Sequence, residues 1–286
     1  MITRFQIGLI LSLACWVAAP GSADAQNEVS ARIQALDRQI EKEPRNAELY
    51  ARRGDLRRAQ AEYDAAQADF DRALALNPKL AAALDLARGR LFLDANWPLS
   101  AKTALDRFLS QSPDHFEALI YRARALVKLE QRLAAAQDYT RALARANKPP
   151  PEVYLERAQS LMGAGAPHYQ EALRGIEEGL RRLGPLITLQ LYAIDLEVKL
   201  KQYDAALARL ERVSASSPRK ETWLARRGEI LRDAGRAGEA RQAFQAALAA
   251  IAQLPAAHRN TPAVAELEKR LKAALEEPAA SRARQE

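Results

Sequence analysis

Residues Ala47-Glu-Leu-Tyr-Ala-Arg-Arg-Gly54, followed by Tyr63-Asp-Ala-Ala66, Phe70, Ala73 and Pro78, set a pattern that the chain then repeats. Gly54 and Gly89 are 35 residues apart, as are Pro78 and Pro113, and Ala123 follows Gly89 by 34. A second unit carries Arg88-Gly89, Ala101, Leu105, Phe108 and Pro113, and a third Leu119, Ala123, Ala135, Tyr139 and Ala142. A fourth has Tyr154, Ala158, Tyr169, Ala172, Ile176 and Gly179, and a fifth Ala193, Tyr203, Ala206, Leu210, Val213 and Pro218. The sixth has Leu224, Gly228, Gly235, Ala240, Phe244 and Ala247. Periods of this length mark stacked supersecondary units, each unable to bury its apolar face alone.

Composition agrees with helical units. The 286 residues include 60 Ala and 40 Leu but only 24 Val, Ile and Thr together. Ala and Leu lose little freedom in a helix, whereas β-branched residues favour pleated strands. The composition therefore argues against all-β and doubly wound α/β folds. A chain that is 48% apolar and 28% charged is also too hydrophobic for a disordered one.

The recurring residues resemble the tetratricopeptide repeat (TPR), a 34-residue pair of antiparallel helices. The resemblance implies an all-α fold, a right-handed α-solenoid of antiparallel helix pairs with capping helices. Gly54, Gly89, Gly228 and the corresponding Ala123 and Ala158 would let the two helices of a unit approach closely. Ala66, Ala101, Ala135, Ala172, Ala206 and Ala240 would do the same from the second helix. Tyr63, Tyr169, Tyr203, Phe70, Tyr139 and Phe244 would fill the space between units. Pro78, Pro113 and Pro218 would end one unit, since proline cannot continue a helix.

Departures are local. Asn147 replaces a proline and precedes Pro149-Pro150-Pro151, which reads as a stiff extended joint. Gly163-Ala-Gly165-Ala-Pro167 carries a two-residue insertion. Arg53, Arg88, Arg122, Arg157 and Arg227 replace the usual apolar first-helix residue, and their long stems can pack while the heads reach water.

The expected organisation is a signal peptide at 1–25, an N-terminal capping helix at 26–44, about six repeats over 45–256, a C-terminal capping helix at 257–277 and a disordered tail at 278–286. Arg4, the apolar run Phe5–Ala19 and the small residues Ala23 and Ala25 form the export signal. The alternatives are an uncleaved anchor or lipid attachment at Cys15, where Ser12-Leu13-Ala14-Cys15 loosely resembles a lipobox. The expected location is periplasmic or secreted. Cys15 is the sole cysteine, so the mature protein has neither disulfide nor thiolate chemistry. Ile33, Leu36 and Ile40 give the first cap its buried face, and Val264, Leu267, Leu271 and Leu275 the second, because solenoid ends need covering.

No catalytic residue, metal ligand or cofactor site is expected. His115, His168 and His258 are 53 and 90 residues apart, with no second ligand at metal spacing. Neither a Gly-x-Ser-x-Gly motif nor a phosphate loop occurs, and Gly163-Ala-Gly165 lacks the rest of a dinucleotide fingerprint. Dispersed, interleaved charge argues against nucleic acid.

By resemblance, a partner-binding groove is lined by the first helix of each unit: Leu86, Arg90 and Leu93; Ile120, Arg124, Val127 and Lys128; Leu155 and Met162; Leu191 and Val198. The pairs at i, i+7 would form an apolar floor, or would pack first helix against first helix. Arg90, Arg124 and Lys128 would make a basic spot favouring acidic residues in the partner, and Asp195 and Glu229 a negative one. Asp55, Arg90 and Arg124 stand where carboxylate-clamp TPRs carry Asn, which argues against a chaperone-tail receptor. The functional expectation is a non-enzymatic protein or peptide scaffold of the bacterial envelope, with no integral membrane segment after cleavage. The alternative is an assembly factor acting through its convex face or by self-association.

Overall fold

In the computed structural model, residues 21–215 and 217–276 are described, with side chains from 26 onward. The expected signal segment, Cys15 included, lies outside them except for the backbone of 21–25, and the tail 278–286 lies outside them as well. The described residues form fifteen α-helices and two short 3-10 turns. No helix among them is long and apolar enough to cross a membrane.

The chain divides into two compact units, Met1–Phe108 and Leu109–Glu286. In the first, α1 (Gly21–Lys42) precedes the pair α2 (Ala47–Ala59) and α3 (Tyr63–Leu76). The next pair is α4 (Ala81–Asp94) and α5 (Pro98–Gln111), the last straddling the boundary. The second unit holds α6 (Phe116–Lys128) with α7 (Arg132–Arg145), α8 (Pro151–Gly163) with α9 (Tyr169–Leu183), and α10 (Ile187–Lys199) with α11 (Tyr203–Ser214). It closes with α12 (Glu221–Asp233), α13 (Ala237–Ala252), the single turn α14 (Ala256–Arg259) and α15 (Pro262–Glu276).

Each pair turns in the same way. Ala61, Asn96, Glu130, Lys201 and Gly235 adopt positive φ between 58° and 75°, and Gly165 in the lengthened turn has φ 111°. In the five short turns the amide one residue later bonds back across the end of the first helix: Glu62 to Arg57, Trp97 to Phe92, Gln131 to Leu126, Gln202 to Glu197, and Arg236 to Leu231, at 2.7–2.9 Å. This left-handed C-terminal motif satisfies carbonyls that the helix end would otherwise orphan. The next helix begins at once on the other side.

The turns also correct the register of the fifth repeat. Each positive-φ residue follows the close-contact position by seven, so Lys201 places Ile194 there, not Ala193. Both residues are buried, Ala193 at 0% and Ile194 at 1% exposure. Elsewhere that position faces a large second-helix side chain. A Cβ on Gly54 would sit 2.7 Å from Phe70, on Gly89 2.5 Å from Leu105, and on Gly228 2.3 Å from Phe244. The six second-helix alanines from Ala66 to Ala240 are buried at 3% exposure or less.

Starts are specified locally. Asn46 Oδ1 accepts from the Glu48 amide at 3.2 Å, and His115 Nδ1 from the Ala118 amide at 3.3 Å, so one of the three histidines is a helix cap. Pro98, Pro151 and Pro262 occupy first helical positions, where a missing N–H costs nothing. Pro150 is extended (φ −60°, ψ 142°), as expected of that joint. Where Asn147 replaces the usual proline, Arg182 of α9 donates to the Leu143 and Ala146 carbonyls at 3.0 and 2.6 Å, closing the end of α7.

Ile33 and Ile40 of α1 are buried at 9% exposure. At the other end, Val264 and Leu271 of α15 enter the last core at 4% and 3%, with Leu267 and Leu275 packed against it. Both terminal helices present their predicted apolar faces to the neighbouring repeat.

Candidate functional site

The arginine column does not lead to water. Arg53 donates to both oxygens of Asp69, at 2.9 and 2.5 Å, and to Asp37 of α1 at 2.7 Å. Arg122 grips Asp138 with two bonds of 2.7 Å. Arg157, only 6% exposed, bonds the Gly175 carbonyl at 3.1 Å and Glu178 at 2.8 Å. Gly175 makes the room, since a Cβ there would lie 2.7 Å from that guanidinium. Arg88 instead pairs with Asp71 of the preceding second helix. In the fifth repeat the polarity is inverted: Ala193 stands in the column, and Arg209 of α11 holds Glu197 of α10 through bonds of 2.6–3.1 Å. These pairs spend each arginine head on an acid or a carbonyl of the same molecule. For Arg53, Arg88, Arg122 and Arg157 the expectation that the heads reach water is corrected: an acid, or a carbonyl, waits for each of these stems.

Groove-face charges are also engaged internally. Arg124 of α6 reaches Glu156 of α8 at 2.9 Å, Arg226 of α12 reaches Asp195 of α10 at 2.5 Å, and Arg270 of α15 reaches Glu229 of α12 at 2.6 Å. In the first unit Arg58 of α2 meets Asp94 of α4 in the same manner. Ion pairs thus tie α2 to α4 in the first unit, and α6 to α8, α10 to α12 and α12 to α15 in the second. Glu156 pushes the Arg124 pKa upward, and Tyr139, 1% exposed, is pushed up by burial and then by that carboxylate. Asp195 and Glu229, expected to form a negative spot, each hold an arginine.

The eleven expected groove residues divide between the two units. Leu86, Arg90 and Leu93 are half-buried on α4 in the first. In the second, Ile120 is buried at 7%, Val127, Leu155 and Met162 are half-buried, and Val198 packs against the last core cluster. Arg124 and Lys128 are exposed. Much of the expected floor is therefore covered within the molecule. Tyr192 of α10 adds to it, its hydroxyl donating to Met162 Sδ at 3.0 Å, and burial, then Asp195, pushes that phenol up to about 12.

Leu191 is different, at 39% exposure, and Ile187 one turn earlier is 60% exposed. Together they form an uncovered apolar pair on α10. On the α6–α8 side of the same unit Ile120 and Arg124 line an open pocket of about 190 Å³ with Tyr121, Pro150, Val153 and the carboxylates Glu117 and Glu152. Sequence reasoning named Ile120, Arg124 and Leu191 but missed Ile187, Tyr121 and both acids. The signal was present: Ile187 precedes Leu191 by four, and Glu117 and Glu152 each lie six residues before the small residue of their repeat, Ala123 and Ala158. Among the described residues, no group of three or more His, Cys, Asp or Glu could hold a metal ion.

Three family models match the chain: a tetratricopeptide repeat at residues 47–80, a second at 86–150, and a tetratricopeptide repeat-like domain at 168–263. No curated protein sequence matches it. Among solved structures, a tetratricopeptide repeat protein from Parabacteroides merdae aligns at 20% identity over 88% of this chain and 95% of its own, with a TM-score of 0.53. The C-terminal part of a TPR repeat-containing protein from Cytophaga hutchinsonii aligns at 14% identity over 85% and 95%, with a TM-score of 0.66. A chain from a solved complex bound to HypK-THB aligns at 17% identity over 91% of this chain and 40% of its own, with a TM-score of 0.54. At these identities the likeness is one of fold. With its repeated helix pairs, its common turn and three family matches, the chain belongs to the tetratricopeptide repeat family.

Proposed function

We propose that this chain is a non-enzymatic protein-interaction scaffold of the bacterial cell envelope, exported by its N-terminal segment, which binds a peptide segment of a partner on its first-helix face. TPR proteins generally mediate protein–protein interaction, and a related fold occurs in a complex with a bound partner. The observation that carries the reading is the uncovered Ile187–Leu191 pair on α10, in a unit whose Arg124, Arg226 and Arg270 are tied up internally. An isoleucine 60% exposed on a well-packed helix pair leaves apolar area in water that a partner would remove. Export is supported by the Arg4 and Phe5–Ala19 pattern and by the lack of any cysteine after Cys15.

The test is affinity capture from envelope extract with the mature chain as bait, beside a Leu191→Asp bait and an Ile187→Asp bait of unchanged helical content. A protein held by the first and lost by both variants would establish the groove and name its client. Equal capture by all three would remove the binding surface from this face. Fractionation of the expressing cell would test the location separately, and a wholly cytoplasmic chain would refute export.

A further inference from the structure

Arg58 and Arg232 occupy the same place in their repeats, four residues after Gly54 and Gly228. Arg58 is held by Asp94 on the next first helix, α4. Arg232 instead faces α15 across an open pocket of about 210 Å³, to which α15 contributes Leu267, Arg270, Leu271, Ala273 and Ala274 and no acid. The Arg232 guanidinium lies over the Phe244 ring of α13, 6.0 Å from its centroid, and the side chain is 36% exposed. It donates no hydrogen bond to any described residue: Nε is buried without an acceptor, and the carboxylate of Asp233, its neighbour in sequence, stands 3.9 Å from Nε, beyond hydrogen-bond reach. A buried donor left in that state keeps its full desolvation penalty, which an arriving acceptor would remove.

The occupied groups set the sign of that acceptor. Glu229, the one carboxylate among the lining residues, is committed on both oxygens, Oε1 to Arg270 at 2.6 Å and Oε2 to Arg226 at 3.1 Å. A cation would have to compete with two arginines for it and would meet Arg232 as a like charge. A carboxylate meets Arg232 and also Arg270, which uses a single terminal nitrogen on Glu229. We propose that the α12–α15 pocket takes a glutamate side chain of the partner segment, with Arg232 donating to its carboxylate and Phe244, Leu267 and Leu271 against its methylenes. The proposal rests on the peptide-binding reading and names one residue of that peptide. A chain-terminal carboxylate fits less well, because the backbone amide it brings along would find no free acceptor in the pocket, whereas a glutamate side chain carries no donor.

The full chain would select binders from a displayed library of random decapeptides, and recovered peptides carrying a fluorophore would be titrated by anisotropy. The expected peptides share a glutamate at a fixed place among apolar residues. Exchanging it for glutamine should weaken binding to wild type about tenfold or more, and binding to Arg232→Met hardly at all. Amidating the peptide's C-terminus should change neither. Ala273→Glu, on an exposed side chain, supplies Arg232 with a carboxylate from α15 and should weaken the same peptides by a similar factor. It carries the test should Arg232→Met lose its helical signal. Peptides that weaken on amidation and not on the glutamine exchange would overturn the side-chain occupant in favour of a chain terminus. Peptides that lose affinity with Leu191→Asp yet ignore Arg232→Met and Ala273→Glu would overturn the pocket and leave groove binding intact. Peptides that need Arg232 but ignore Leu191→Asp would uphold the pocket and remove the Ile187–Leu191 pair from the binding face. Recovery of no peptide, or affinity unmoved by every variant, would overturn both readings.

Discussion

Asp138→Ala should unfold the first helix pair of the second unit more readily than its single-methyl outcome suggests. The carboxylate is buried at 4% exposure and accepts two 2.7 Å bonds from Arg122. Removing one member of a buried pair costs about 3–5 kcal/mol because the other charge stays behind in a medium that solvates it poorly. The Arg122 side chain keeps 19% of its exposure, so its head recovers part of its hydration, and a loss of about 2–3 kcal/mol follows. Replacing both partners, Arg122→Met with Asp138→Leu, removes the charge that has lost this carboxylate and fills the space; that variant should lie within about 1 kcal/mol of wild type or above it. Urea denaturation followed by helical circular dichroism measures both, urea being chosen because guanidinium screens charge. Amide exchange localises the effect, because repeat stability is a sum of local and neighbour terms, and protection should fall first in α6 and α7. A loss below about 0.5 kcal/mol for Asp138→Ala, or a double variant no better than the single one, would refute the claim that the arginine column is a set of internal clamps.

Gly228→Ala places a Cβ 2.3 Å from the Phe244 ring, which is 3% exposed and cannot retreat. Overpacking costs about 1–3 kcal/mol against a helix gain of roughly 0.5–1, so a net loss near 1 kcal/mol is expected, recovered by Phe244→Leu. Glu130→Gly relieves a left-handed backbone at φ 58° and should stabilise by up to about 1 kcal/mol, whereas Gly235→Ala at φ 75° should cost a similar amount; thermal midpoints that move in the same direction would contradict the shared turn. Folding raises the Tyr192 pKa from its ordinary value near 10 to about 12, so the folded chain holds that proton more tightly. Its contribution to stability is complete below pH 10 and is lost as pH rises through 10 to 12. An absorbance titration at alkaline pH should show one phenol ionising near pH 12 that Tyr192→Phe removes.

The fold was legible because its determinants are small residues at fixed intervals. Gly54, Gly89 and Gly228 with the second-helix alanines say where two helices nearly touch, and that information survives in the text as spacing. The fifth repeat slipped by one because Ala193 looks like the small residue, while Ile194 does the job; only the backbone turn at Lys201 distinguishes them. The arginine column was visible but unexplained, since its partners lie 16 residues away in the first and third repeats and on another element in the second. The groove was least legible. Position along a helix cannot say whether Arg124 meets a ligand or Glu156 of the next first helix, and in the folded chain it meets Glu156.

The inverted pair in the fifth repeat bears on how six hairpins of one pattern find their own partners. A chain of similar units risks docking one unit's first helix on another's second, the characteristic error of repeat arrays. Arg53 and Arg122 would find an aspartate on either α3 or α7 and so would tolerate that exchange. Presented to α11 they would meet Arg209 instead, a like charge in a poorly hydrated seam, and Glu197 offered to α3 or α7 would meet Asp69 or Asp138. Reversed polarity therefore acts as an address that rejects wrong docking at about 150 residues' separation from the start of the array. Restoring the common sign there, with Glu197→Arg and Arg209→Asp, would keep a pair in the finished molecule while erasing the address. The change would then surface as slower refolding with more trapped species, at nearly unaltered equilibrium stability.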